Sequence, residues 1–235
     1  MAQNETALIV GAGPGLGAAL GRTFAADGMA VALVARTKGT VEAIAKEIGA
    51  AAVPFSCDAT DEDQVEKLFA DVAADLAPPD VVVFNAGTFV PHGILETSAA
   101  EFEECWKVGC MAGFFVGRAA AKALLEKGSG TILFTGATAS LRGGANFHNL
   151  AVGKFGLRAL AQSMARELGS QNIHVAHVVV DGIIDTERAK QFVKNPPEDG
   201  LLAPDQIASN YLHLHRQQRS AWTQELDLRP RSEKF

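Results

Sequence analysis

The chain has 235 residues, 48% of them apolar and 20% charged, and a net charge of −6. That length encloses one sizeable core and leaves little for a second domain, so a single domain over 1–235 is expected. The acidic balance supplies no basic stripe for nucleic-acid phosphates or for an anionic membrane surface, and neither is expected as a partner.

At the amino end, Met1-Ala-Gln-Asn-Glu-Thr6 has no basic segment followed by an apolar stretch, and no later run approaches the roughly 18 apolar residues of a membrane span; export and insertion are not expected. Ala7–Val10 forms a first strand, and Gly11-Ala-Gly-Pro-Gly-Leu-Gly17 then leads into a helix from Ala18. Glycines there tighten the turn, bring backbone N–H groups to a pyrophosphate and let helix pack closely on strand. Ala30–Val34 is a second strand. An NAD site places an acidic residue about 20 residues after the glycines, where this chain has Ala35 and Arg36. A guanidinium there suits a 2′-phosphate, which favours NADP over NAD, although the same residue also reads as an exposed cation at a strand end.

Further strands fall at 51–55, 81–84, 131–134 and 173–180, each a short apolar run. Thr60 followed by Asp63 resembles a capping-box start for a helix over 61–76, and 98–127 has room for two helices. From Ala151 to Leu168 a helix carries Leu160, Met164 and Leu168 at steps of four, with Gly153, Gly156 and Ala159 allowing close approach; core and dimer contact explain this equally well. Lys194-Asn-Pro-Pro-Glu-Asp-Gly200 is irregular and reads either as a surface loop or, within 187–200, as a flap over a site. Pro204 marks the first turn of a last helix. Cys57, Cys105 and Cys110 are odd in number and lack CxxC spacing, so they fit free thiols in a reducing, cytoplasmic compartment and no metal site. The alternation of apolar strands with helices predicts a Rossmann-type, doubly wound parallel α/β sheet, with ligands at the carboxyl ends of the strands.

Gly11, Gly15 and Gly17 match the T-G-x-x-x-G-x-G motif of the short-chain dehydrogenase/reductase family, with Val10 in place of Thr. Cys57-Asp58-Ala59 matches the family's adenine-side segment, and Phe84-Asn-Ala-Gly87 its N-N-A-G stretch. Asp181-Gly-Ile-Ile-Asp-Thr186 resembles P-G-x-x-x-T, with Asp181 for proline. The chain thus resembles that family over nearly its whole length. The resemblance implies a nicotinamide cofactor held by Gly11, Gly13, Gly15, Leu16, Gly17, Arg36, Asp58, Ala59, Asn85, Ala86, Gly87, Lys154, Ile183 and Thr186. It further implies a homodimer or homotetramer, with the Ser220–Pro230 segment as a last strand and its flank.

The family's chemistry uses a tyrosine as proton donor, a lysine four residues on, a serine at the substrate oxygen and an asparagine for a relay water. Aligned on this chain, the tyrosine position holds Leu150, the lysine is Lys154, the serine position holds Ala137 with Thr138 beside it, and the asparagine position holds Gly109. This pattern resembles an atypical branch of the family that lacks the Ser–Tyr pair. The lone tyrosine, Tyr211, lies downstream in the last helix. Lys154 keeps a task at the cofactor ribose. His148 and His92 are candidate substitute donors, while His174 and His177 alternate within an apolar strand and read as structural. Two functions stay open: an NADP-linked oxidoreductase acting on a small apolar carbonyl or alcohol through a nonstandard donor, with Phe147, Leu150 and Val90 around the substrate, and an NADP-binding protein without turnover that acts as a regulator or scaffold. A structural protein binding no nucleotide would make the glycine turn a relic.

Overall fold

The computed structural model describes residues 5–232, so Met1–Asn4, read above for a leader, lies outside the described residues. Seven strands form one sheet: β1 Thr6–Val10, β2 Ala30–Ala35, β3 Ala52–Ser56, β4 Val81–Phe84, β5 Gly130–Thr135, β6 Ile173–Val180 and β7 Glu225–Leu228. Their order is β3-β2-β1-β4-β5-β6-β7, and every neighbouring pair is parallel. This is the doubly wound α/β domain expected from the sequence. β1, β4 and β6 are buried throughout, because helices cover both faces.

Alternate strand residues feed two cores. Ala7, Ile9 and Leu33 pack with helices α1 (Leu16–Ala26), α2 (Lys38–Ile48) and α8 (Pro204–His215). Leu8, Val10 and Val82 pack with α3 (Glu62–Asp75) and two later helices on the opposite face. The chain winds outward from β1 to β3 and then returns to β4 on the other side of β1. That reversal opens a crevice at the strands' carboxyl ends.

Several local expectations are corrected. The cap of α3 is Asp61, whose carboxylate accepts from the Gln64 N–H at 3.1 Å, and Thr60 instead donates its hydroxyl to Asp58 at 2.7 Å. The two helices expected within 98–127 are one continuous rod: α4 Ala99–Trp106, a π turn over Lys107–Met111, and α5 Ala112–Lys127. Ser98 and Glu101 form its capping box, and no proline interrupts it. Among the described residues this is the one helix long and apolar enough to cross a membrane; Ala112, Val116, Ala120 and Leu124 are buried in the second core, which accounts for its apolarity. Helix α6 starts at His148, three residues before the expected Ala151, and runs to Leu168. Its Leu168 is buried and Leu160 and Met164 pack on the second core, so that row serves the interior, whereas Val152 and Phe155 face outward. Gly153 lies against Gly109 and Gly156 against Cys110, which seats α6 on the π turn, while Ala159 is exposed and takes no part.

The segment expected as a flap is partly helical: α7 spans Glu187–Phe192, and exposed chain follows. Its neck is a parallel bridge of Ile184 with Leu202, in which Leu202 N–H donates to Ile183 at 2.9 Å and Asp185 N–H to Leu202 at 2.8 Å.

Candidate active site

The glycine turn is held from both sides. Gly11 has a φ of +95°, and a side chain there would meet Ala86 N at 2.5 Å; Asn85 Nδ2 donates to Gly11 O at 3.0 Å, pinning the turn to the end of β4. A Cβ on Gly17 would sit 2.6 Å from Ala12 Cα, so α1 and the turn are in backbone contact. The amino end of α1 has no side-chain cap and no acidic residue in its first turn. Its partial positive charge is therefore uncompensated and directed at the crevice.

Gly11, Gly13, Arg36, Asp58, Ala59, Asn85, Ala86 and Gly87 line a single cleft of about 290 Å³ together with Thr37, Thr40, Val108 and Ala112. Leu16 and Gly17 are buried beneath it. Gly15 faces Thr186, whose Cγ2 would lie 2.8 Å from an added Cβ. The Thr186 hydroxyl caps α7, accepting from Ala189 N–H at 3.1 Å. Ile183 is half exposed. Arg36 lies 3.8 Å from Glu104, with both side chains more than half exposed, so its guanidinium is only loosely engaged. The Asp58 carboxylate folds back on Thr60, bonding its N–H and hydroxyl through one oxygen. A larger groove of about 1030 Å³ runs between α3 and α5, bordered by Pro78, Pro79 and Asp80 just before β4. It lies at the amino ends of the strands, away from the crevice where ligands of such sheets bind.

Deeper in the crevice, Lys154 is buried and its ammonium donates to Thr135 O at 2.7 Å, close to Gly87. Burial lowers its pKa to about 8. Leu150, one turn earlier, is half-buried, as are Ala137 and Thr138 at the end of β5. Phe147 stacks on Phe89 at 4.5 Å. Asn149 Nδ2 donates to Val90 O at 2.7 Å, and His148 Nε2 lies 2.8 Å from the Thr97 hydroxyl, so the first turn of α6 braces the loop after β4. His92, on that loop, pairs with Glu101 at 3.0 Å.

His174 and His177 are built in, on opposite faces of β6. His174 stacks on Trp222 at 4.9 Å, and His177 sits between Ser140 Oγ at 3.4 Å and Glu225 at 3.2 Å. Burial pushes His177 down to about 4. Tyr211 is fully buried against Thr135, its hydroxyls 2.8 Å apart, and burial raises its pKa. One feature was not anticipated from the sequence: Asp181 is 1% exposed, and it accepts the Thr138 hydroxyl at 2.6 Å. The sequence signal was present, an acidic residue closing an eight-residue apolar strand. Among the described residues no group of three or more His, Cys, Asp or Glu is arranged to hold a metal.

A seven-stranded parallel sheet with a glycine turn at its switch point defines a dinucleotide-binding class of α/β protein. The model of the short chain dehydrogenase family matches residues 5–197, and the chain belongs to that family. It is 29% identical over 187 residues to 3-oxoacyl-(acyl-carrier-protein) reductase MabA of Mycobacterium bovis, covering 80% of this chain and 72% of that one. With the corresponding reductase FabG of Escherichia coli it shares 27% over 201 residues, covering 86% and 82%. Among solved structures, a short-chain dehydrogenase from Rhodopseudomonas palustris is 42% identical with a TM-score of 0.84, covering 97% of this chain and 99% of that one. A metagenomic short-chain oxidoreductase in complex with NADP is 27% identical with a TM-score of 0.83, covering 96% and 97%.

Proposed function

We propose that this oxidoreductase binds NADP in the crevice and acts on a small, largely apolar alcohol or carbonyl, without the serine and tyrosine on which its family relies. The observation that carries the reading is the convergence of Gly11, Gly13, Arg36, Asp58 and Asn85 on one cleft beside the uncapped end of α1. That set fits a dinucleotide: backbone N–H groups for the pyrophosphate, Arg36 for a 2′-phosphate and Asp58 for the adenine side. Lys154, buried beside Gly87, is placed for the nicotinamide ribose. Bound there, the cofactor supplies or accepts a hydride. The protein's share is to hold the reactants, exclude water through Phe89, Phe147 and Leu150, and move one proton.

Ala137 and Leu150 have no proton to give, and Gly109 has no side chain to anchor a water, which favours a second reading in which NADP is bound and not turned over. There, cofactor occupancy orders 187–200 and changes a partner surface. NADP titration by calorimetry, followed by NADPH absorbance with a panel of aliphatic and cyclic ketones and their alcohols, separates the two. Micromolar NADP binding, lost in Gly15→Asp, with turnover of at least one pair supports the oxidoreductase. Binding without turnover supports the second reading, and failure to bind NADP or NAD at millimolar concentration defeats both.

A further inference from the structure

Where the family's P-G-x-x-x-T segment begins with proline, this chain buries a carboxylate at the end of β6. The Asp181 N–H donates to Leu228 O at 2.7 Å, a bond that proline cannot make, and it extends the β6–β7 ladder. The register of β5 on β6, with Thr135 opposite Val178, sets Thr138 beside Asp181 when carried along both chains. The hydroxyl of Thr138 then donates to Asp181 Oδ1 at 2.6 Å. Two guanidinium groups flank the carboxylate: Arg142 Nη2 lies 3.7 Å from Oδ1 and Arg229 Nη2 3.7 Å from Oδ2, and Arg229 is shared with Asp227. Oδ2 accepts no hydrogen bond among the described residues. Removing a carboxylate from water costs several kcal/mol, and here full hydrogen bonding does not offset it. A group kept at such cost beside a substrate crevice points to chemistry.

We propose that Thr138 takes over the contact with the substrate oxygen from the absent serine, and that Asp181 polarises it as a proton acceptor. Because the Thr138 proton is committed to Asp181, its oxygen offers lone pairs to the crevice. Lone pairs accept from a hydroxyl and repel a carbonyl oxygen, so with Asp181 as a carboxylate the pair binds the alcohol form of the substrate. The substrate O–H proton passes to Thr138 Oγ1 as the Thr138 proton passes to Asp181 Oδ1. The carbinol C–H bond breaks with both electrons, as hydride, toward the oxidised nicotinamide, leaving a carbonyl product and a neutral Asp181 carboxyl. Charge is conserved: one carboxylate and one cationic nicotinamide are neutralised together. Thr138 is a catalytic residue in this scheme and Asp181 acts through it. The inference rests on the oxidoreductase reading for its hydride acceptor but not for its hydroxyl site.

The test is binding of 2,2,2-trifluoroethanol, an acidic alcohol, followed by its ¹⁹F resonance with and without NADP. Wild type and Thr138→Ser are expected to bind it, and Thr138→Val and Asp181→Asn to bind about tenfold more weakly, the value of one hydrogen bond to a charged acceptor system. The Asp181→Asn variant keeps a side-chain oxygen for the Thr138 hydroxyl and so spares the turn, but its amide cannot take the proton. Wild-type affinity in Thr138→Val, or in Asp181→Asn, overturns the proposal. If Asp181→Asn does not fold, the comparison of Thr138→Val with Thr138→Ser decides alone. Failure of wild type to bind NADP defeats the cofactor reading, and the titration without NADP still decides this one.

Discussion

Lys154 shows what burying a single charged side chain costs. Its ammonium is buried with one hydrogen bond, to Thr135 O, and its pKa falls to about 8 from 10.5. The unfolded chain therefore binds the proton more tightly, so stability falls as pH drops from 10.5 to 8 and the penalty is constant below that window. At pH 7, Lys154→Met is expected to be as stable as wild type or more stable by about 1–3 kcal/mol, while NADP affinity drops at least tenfold. Denaturant midpoints and calorimetric titration of one sample check both halves, and a destabilised variant with unchanged affinity would mark Lys154 as structural. His177 presents the same situation for an imidazole. With a folded pKa of about 4 against an ordinary 6.5, it is buried neutral, and stability is lost progressively as pH falls between those values. The Arg158 guanidinium, then His177, holds the Glu225 carboxyl below its usual range. His177→Asn should flatten the stability profile between about pH 6.5 and 4, read as urea midpoints across that range.

At the scale of elements, the site is assembled by ends and not by middles. The π turn at Lys107–Met111 departs from plain helix where α6 packs on it, and π turns recur at functional sites. His148 and Asn149 spend their side chains on Thr97 and Val90, which makes this turn a brace for the loop that carries Phe89. The 187–200 segment has the opposite character. It is joined to the fold through the Ile183–Leu202 neck, and Phe192 is 75% exposed with no core beneath it. Thr186 touches the Gly15 position, so an occupied phosphate site and the start of α7 are neighbours. Saturating NADP is expected to slow tryptic cleavage after Arg188, Lys190 and Lys194 several-fold, measured by mass spectrometry of the fragments; equal cleavage rates would show 187–200 to be an ordinary surface loop.

For the whole molecule, α5 and α6 leave Phe114, Val152 and Phe155 each about 40% exposed on adjoining helices. Outward apolar side chains on packed helices suit a self-complementary contact. A homo-oligomer is expected, and the double variant Val152→Glu with Phe155→Glu should shift it toward monomer in analytical ultracentrifugation without loss of fold. Unchanged sedimentation would place any interface elsewhere.

Much of this protein was legible in its residues. Short apolar runs spaced by helical patterns gave the layer order, since strands buried on both faces read as continuous apolar stretches. The glycine turn and Arg36 were named from chain position and Asp58, Asn85 and Lys154 from the family resemblance; Gly11, Gly13, Arg36, Asp58 and Asn85 line one cleft, with Lys154 beside Gly87. The sequence also shows that the position four residues before Lys154 is Leu150, with Tyr211, the chain's only tyrosine, in α8. What failed was local or long-range. The cap of α3 moved to Asp61 because the Thr60 hydroxyl found a closer acceptor in Asp58, and the expected break within 98–127 closed into a π turn. Only the tertiary structure decided the pairing of Thr138 with Asp181, 43 residues apart. Periodicity reports which side of an element is apolar, whereas the register between strands comes from packing of the whole sheet. A buried carboxylate therefore acquires its partner, and with it its chemistry, only when the sheet closes.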